Sequence, residues 1–244
     1  MEELACLGTF SRRSLNWQGK LNSSQWEDAE QGCGCFAWLS QWRTCPTYVI
    51  AIMCELYKKL LLTRVYYSKK TRTGPEIEIM CRLCGKAAES VGQILAACSA
   101  LAQSKYLPRH NGVLKILFFE MLYGLDLIDS VPPWCSPTEP KPVHKNDRAQ
   151  AFWNVPVYPD HVEVRANRIG TQIVHNSAKT VILLEMSCPL PDNRKSKSCE
   201  KTEKYAPLRL ELKGQFQDFR VKQFKIIMDV LGALVKNLKA QCVP

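Results

Sequence analysis

Residues Arg165–Tyr205 read RANRIGTQIVHNSAKTVILLEMSCPLPDNRKSKSCEKTEKY. Two short apolar runs, Thr171–Val174 and Thr180–Met186, flank His175-Asn176-Ser177. Apolar runs on either side of a turn-forming triplet predict a β-hairpin. The second run, VILLEM, carries one carboxylate, Glu185. An acid inside an apolar strand is costly to bury unless it meets a cation, a metal or a hydrogen-bond donor. A helix is expected next, opened by the polar region around Asn193 and bearing Glu200, Lys201, Glu203 and Lys204. It continues past Tyr205 through PLRLELKGQF, with Pro207 setting or kinking its start. Val221–Met228 predicts a third strand beside VILLEM, and the stretch from Asp229 leads into a last amphipathic helix with Leu234, Val235 and Leu238 inside. Strand pair, helix, strand, helix is an α/β pattern, with helices flanking a mixed sheet.

The chemistry suggested by this stretch is phosphodiester hydrolysis. A carboxylate on a strand and a lysine on the following helix form the skeleton of a magnesium-dependent nuclease, in which carboxylates hold the metal and a lysine orients or activates water. Further upstream, Met80–Arg109 holds Cys81-Arg82-Leu83-Cys84-Gly85 and then Cys98. A Cys-x-x-Cys turn followed by a short helix bearing further ligands lets four soft donors meet tetrahedrally around zinc.

Together these segments resemble the C-terminal region of non-LTR retrotransposon polyproteins, a CCHC-type zinc knuckle followed by a restriction-like endonuclease domain of the PD-(D/E)xK type. Ala166-Asn167-Arg168, Glu185-Met186-Ser187-Cys188-Pro189, Glu200-Lys201-Thr202-Glu203-Lys204-Tyr205 and Arg109-His110-Asn111 carry the resemblance, together with Cys81, Cys84, Gly85, Glu89 and Cys98. It spans roughly residues 36–240. It implies a restriction-endonuclease-like mixed sheet flanked by helices, preceded by a small helical and zinc-knuckle-like part. Glu185 becomes a magnesium ligand, and Lys201 or Lys204 the lysine that handles water. Cys81, Cys84 and Cys98 become zinc ligands. Arg109, His110, Lys58, Lys59 and Arg168 become nucleic-acid contacts. Two positions depart from the pattern. The family's first acid falls on Gly170, which has no side chain to offer, and its knuckle histidine falls on Gln93, a poor zinc ligand. Asp160 and Glu163, a few residues ahead of Gly170, are candidates for a migrated acid.

The expectation is therefore a retroelement-derived relative of the endonuclease that nicks DNA for target-primed reverse transcription, with cleavage lost and nucleic-acid binding kept. Two alternatives stay open: an active magnesium-dependent endonuclease, and a non-enzymatic module that binds DNA or a protein. The expected partner is DNA or RNA. A net charge of +10 with pI near 9 favours such a polyanion.

Composition bounds the rest. The 244 residues, 46% apolar and 23% charged, are ordinary for a globular chain of one large domain or two small ones. The opening MEELACLGTF lacks a basic start and an apolar core, so an intracellular protein, nuclear if functional, with reduced thiols is expected. The apolar run Tyr48–Tyr57 is too short for a membrane span and is read as a core helix within a helical stretch, Ala37–Tyr67, with Thr47 as its cap. Arg109-His110-Asn111 is expected to open a helix over Gly112–Leu125. The expected division is a loosely ordered segment 1–36 holding Cys33 and Cys35, a helical and knuckle region 37–130, a proline-rich linker 131–150 and a nuclease-like domain 151–244. Trp134 and Trp153 are expected to pack the linker onto that domain.

Overall fold

The computed structural model describes residues 43–57, 60–71, 78–160 and 163–232. Residues 1–36, Lys58, Lys59 and the expected last helix lie outside the described residues. Five strands form one mixed sheet in chain order: β1 (Val143–Lys145), β2 (Ala149–Trp153), β3 (Thr171–His175), β4 (Thr180–Ser187) and β5 (Arg220–Ile227). The first four run antiparallel to their neighbours, and β5 runs parallel to β4.

The hairpin forms where its sequence places it. Thr171 pairs with Leu184 and His175 with Thr180 across a turn in which Lys179 adopts a positive φ of 45°. The Ala178 amide donates to His175 Nδ1, and the Thr180 hydroxyl to the Ala178 carbonyl, which fixes the register locally. A parallel partner for β4 requires a long crossover. Two helices supply it: α4 (Arg194–Lys204) and α5 (Ala206–Gln215), with Pro207 in the first turn of α5, where a missing N–H costs nothing. Among the described residues, three α-helices precede the sheet: α1 (Thr47–Tyr57), α2 (Arg64–Thr71) and α3 (Leu107–Gly124).

Strand β4 is covered on both faces, which is why VILLEM is nearly continuous in apolar residues. Val181 and Leu183 join Val174, Ile169, Tyr205, Leu208 and Leu212 in the core under α4 and α5. Ile173, Ala151 and the half-buried Ile182 pack against Phe118, Phe119 and Leu122 of α3. With a period of two, Glu185 follows Val181 and Leu183 on the face covered by the crossover helices.

The chain divides into two compact units. One comprises the described residues up to Tyr106 with Pro189–Pro191 and the stretch from Met228; the other comprises Leu107–Cys188 and Asp192–Ile227. Several expectations shift accordingly. The chain divides after Tyr106, and the stretch expected as a linker, 131–150, holds β1 and the start of β2. Its proline-rich part is pinned to α3: Lys115 donates to the Ser136 carbonyl at 3.0 Å and pairs with Glu139. Trp153 packs on Phe118 with ring centroids 5.2 Å apart, but Trp134 is exposed and anchors nothing. Helix α3 begins five residues before Gly112. Pro108 fits its first turn, so Arg109, His110 and Asn111 lie inside the helix.

In the other unit the expected single helix is two, separated by Leu60–Thr63. Thr63 caps the second, its hydroxyl accepting from the Tyr66 amide at 3.2 Å. The opening turn of α1 closes on the Pro46 carbonyl. Val49, Ile50, Met53 and Cys54 make its half-buried face, whereas Tyr48 and Ile52 are exposed, so α1 is a surface helix and not the core helix expected. No helix among the described residues is long and apolar enough to cross a membrane.

Candidate functional site

Glu185 is 5% exposed, and three groups meet its carboxylate. The Lys201 ammonium, from the third turn of α4, hydrogen-bonds directly to Oε1. The Gly170 backbone N–H donates to Oε2 at 3.2 Å, from the residue just before β3. The Tyr205 hydroxyl lies near the same carboxylate and donates to the Arg168 carbonyl at 3.4 Å; its burial and then the Glu185 charge push the phenol well above its ordinary range. Register explains the meeting: Thr171 pairs with Leu184, so Gly170 falls opposite Glu185, one step beyond the last ladder pair. The crossover then folds α4 over the same face.

Lys204 does not join Glu185. Its ammonium lies over the Tyr205 ring at 4.9 Å from the centroid. Lys225, beside Glu185 in the parallel register, instead reaches Thr202 Oγ1 at 2.5 Å and the Ser198 carbonyl at 3.3 Å, tying α4 to β5. The candidate migrated acids are engaged elsewhere. The Asp160 carboxylate accepts from Gln215 at 3.4 Å beside Glu211, and Glu163 is exposed and pairs with Arg165 at 3.7 Å.

The donor set at Glu185 does not fit a magnesium ion held by two carboxylates. One oxygen faces an ammonium, the other a backbone N–H, and position 170 offers no ligand. A side chain at position 170 would also be crowded. An ideal Cβ on Gly170 lies 3.7 Å from Glu185 Oε2 but only 2.6 Å from Leu114 Cδ2 of α3. Leu114 occupies the volume that a side chain at position 170 would need.

Among the expected nucleic-acid contacts, His110 is committed to the fold. Nε2 lies 3.1 Å from the Met186 carbonyl, and Nδ1 lies 3.0 Å from Asn111 Oδ1. The histidine fastens the start of α3 to the strand residue next to Glu185. Arg109 is half-buried and carries a buried Nε, whereas the Arg168 side chain is exposed.

The other unit gathers Cys81, Cys84 and Cys98, whose sulfurs lie within 4.8 Å of one another. Cys81 and Cys98 are 3.9 Å apart, close to the roughly 3.8 Å between sulfurs on a tetrahedral zinc with 2.3 Å bonds. The triad could thus hold a metal such as zinc. Among the described residues it is the one such cluster of three or more His, Cys, Asp or Glu.

Two devices shape it. Gly85, at φ +63°, closes the turn, its N–H donating to the Cys81 carbonyl at 2.8 Å. Buried Glu89 grips the turn from below, accepting from the Arg82 backbone N–H at 2.9 Å and from its guanidinium at 2.7 Å, and from the Arg64 N–H at 3.2 Å. Arg82 above all holds the Glu89 carboxyl down to about 2. Burial raises the Cys81 thiol, but the Cys84 and Leu83 amides, with the Cys84 and Gln93 side chains, outweigh it and bring it down to about 7; burial pushes Cys98 up. The residue at the expected histidine position, Gln93, is buried beside the sulfurs, with Nε2 3.3 Å from Cys84 Sγ.

Sequence reasoning missed Leu114, the Tyr205 hydroxyl, Lys225 and the Arg82–Glu89 grip. Tyr205 and Glu89 stood within quoted motifs without a role, and Lys225 follows from the register of β5. Nothing in the sequence points to Leu114. No protein-family model matches the chain, and no curated protein matches it in sequence.

Proposed function

We propose that the sheet-bearing unit is a nucleic-acid docking module on a nuclease-type scaffold, derived from the restriction-like endonuclease region of a non-LTR retrotransposon polyprotein and no longer able to cut. One observation carries this reading: Gly170, Glu185 and Lys201, the three positions that the family resemblance assigns to the metal-dependent site, converge on a single carboxylate. The order of helix, antiparallel meander, helical crossover and parallel strand supports it as well. In this reading the Lys201 ammonium neutralises Glu185 where a metal once did. A lysine fixed on a carboxylate cannot also polarise a phosphate or an attacking water, and position 170 adds no second anionic ligand. The thiol triad is read as the zinc-holding knuckle of the same family.

Charge supports the choice of partner. The chain carries +10, and α4 alone holds five basic and two acidic residues. Lysines and arginines that neutralise phosphates release counterions, so affinity falls steeply with salt, by about 0.9 in log–log slope per phosphate on duplex DNA. The test combines a salt-dependent gel shift with a supercoiled-plasmid assay in Mg²⁺ or Mn²⁺. The expected outcome is DNA binding without nicking, and a slope that flattens by about 1 for each of Arg168→Ala and Lys204→Ala. Nicking that disappears in Glu185→Ala would overturn the loss of cleavage. No DNA or RNA binding at low salt would overturn the docking role.

A further inference from the structure

Gln93 is 7% exposed, and its amide faces the thiol triad. Nε2 lies 3.3 Å from Cys84 Sγ. Its other end is unsatisfied: Oε1 is buried, and no donor among the described residues reaches it. A buried amide oxygen without a partner costs roughly 1–3 kcal/mol, and such a group inside a native fold calls for a reason. A half-turn about the Cγ–Cδ bond exchanges the oxygen and nitrogen, which have nearly the same shape. It aims Oε1 at the three sulfurs and turns Nε2 away from them.

The backbone holds this side chain in place. The Gln93 N–H donates to Ser90 Oγ at 3.1 Å. The Tyr106 hydroxyl is 2.6 Å from the Ile94 carbonyl and 3.3 Å from that of Gln93, and accepts from the Cys98 N–H at 3.0 Å. One phenol thus fixes the start of the turn that carries Gln93 and its end at Cys98.

We propose that Gln93 is the fourth ligand, through Oε1, of a divalent metal held by Cys81, Cys84 and Cys98. Three thiolates fill three corners of a tetrahedron, and the amide oxygen closes the fourth without adding charge. A cation supplies the partner that Oε1 lacks. A neutral amide is a weaker donor to zinc than imidazole, so the ion is held less tightly than in a site of three cysteines and a histidine, and it exchanges more readily. The inference does not rest on the nucleic-acid reading.

Zinc affinity of the full-length chain, measured by competition with a chromophoric chelator, tests it, with cobalt(II) uptake followed by its thiolate charge-transfer band. Gln93→Leu is expected to weaken binding about 10- to 100-fold, the range that ligand support commands in such sites. Gln93→Glu keeps an oxygen donor and is expected to retain the affinity or raise it. Gln93→His is expected to tighten binding about tenfold or more. Wild-type affinity in Gln93→Leu would mean that water closes the site, and would overturn the proposal. Loss of binding in Gln93→Glu would also overturn it, because the amide would then act as an N–H donor to thiolate sulfur. A Gln93→His variant no tighter than wild type would show that position 93 is not a coordination corner, as would a wild-type chain that takes up no cobalt.

Discussion

An aspartate at position 170 would meet Leu114 before it met anything else. Its Cβ would stand 2.6 Å from Leu114 Cδ2, against about 3.5–4.0 Å for a relaxed carbon pair, so the leucine must retreat by about 1 Å. Leu114 is 1% exposed, and overpacking at such a site costs about 1–3 kcal/mol. The new carboxylate would also face Glu185, whose Oε2 lies 3.7 Å from that Cβ, and Lys201 can neutralise only one of the two. Metal-free Gly170→Asp is therefore expected to melt about 5 °C or more below wild type, at roughly 2–4 °C per kcal/mol. A divalent ion bound between the two acids reverses this. At ten times its dissociation constant it returns about 1.4 kcal/mol to the folded state. Pairing Gly170→Asp with Leu114→Val removes the clashing methyl at the cost of a smaller cavity. The assay is thermal melting across a magnesium or manganese titration, with plasmid nicking on the same samples. Melting temperatures of the variants should climb with metal while wild type stays level. A folded double variant that ignores both metals would refute the reasoning, and would leave Glu185–Lys201 as an ordinary structural ion pair.

Two further outcomes follow from the same geometry. Glu185→Gln strands a mostly buried ammonium and is expected to cost about 3–5 kcal/mol in urea unfolding, whereas Glu185→Leu with Lys201→Leu recovers most of that loss. Glu89 is held at about 2, below its ordinary 4.5, so its contribution is present above about pH 4.5 and is lost as pH falls towards 2. Because Arg82 is 58% exposed, that contribution is discounted to about 1–2 kcal/mol. Stability measured from pH 5 to pH 2 should therefore fall less steeply in Glu89→Gln than in wild type.

Apolar runs on either side of a turn made β3 and β4 legible, and β5 followed from a third such run; these strands are buried enough for their own residues to declare them. The meeting of Glu185 with Lys201 was legible only through motif spacing. The proline-rich stretch hid β1, since Val143–Lys145 is a three-residue edge strand with no apolar pattern. Arg109-His110-Asn111 was expected to open its helix, which instead begins at Leu107, with Pro108 in the first turn. The crowding of position 170 by Leu114 was beyond reach of the sequence: the two residues are 56 positions apart and meet only when α3 lies against the sheet. The apolar run of α1 misled for the converse reason, since hydrophobicity records a preference for burial and not a partner that provides it.

The grip of Glu89 on Arg82 bears on what a chelator would do. In small zinc modules the ion is the scaffold, and stripping it unravels the chain. Here a carboxylate already moulds the loop that presents Cys81 and Cys84, so an ion would enter a preshaped cup and its binding energy would not be consumed in organising the peptide. Removing it should empty the cup and leave the loop's outline standing.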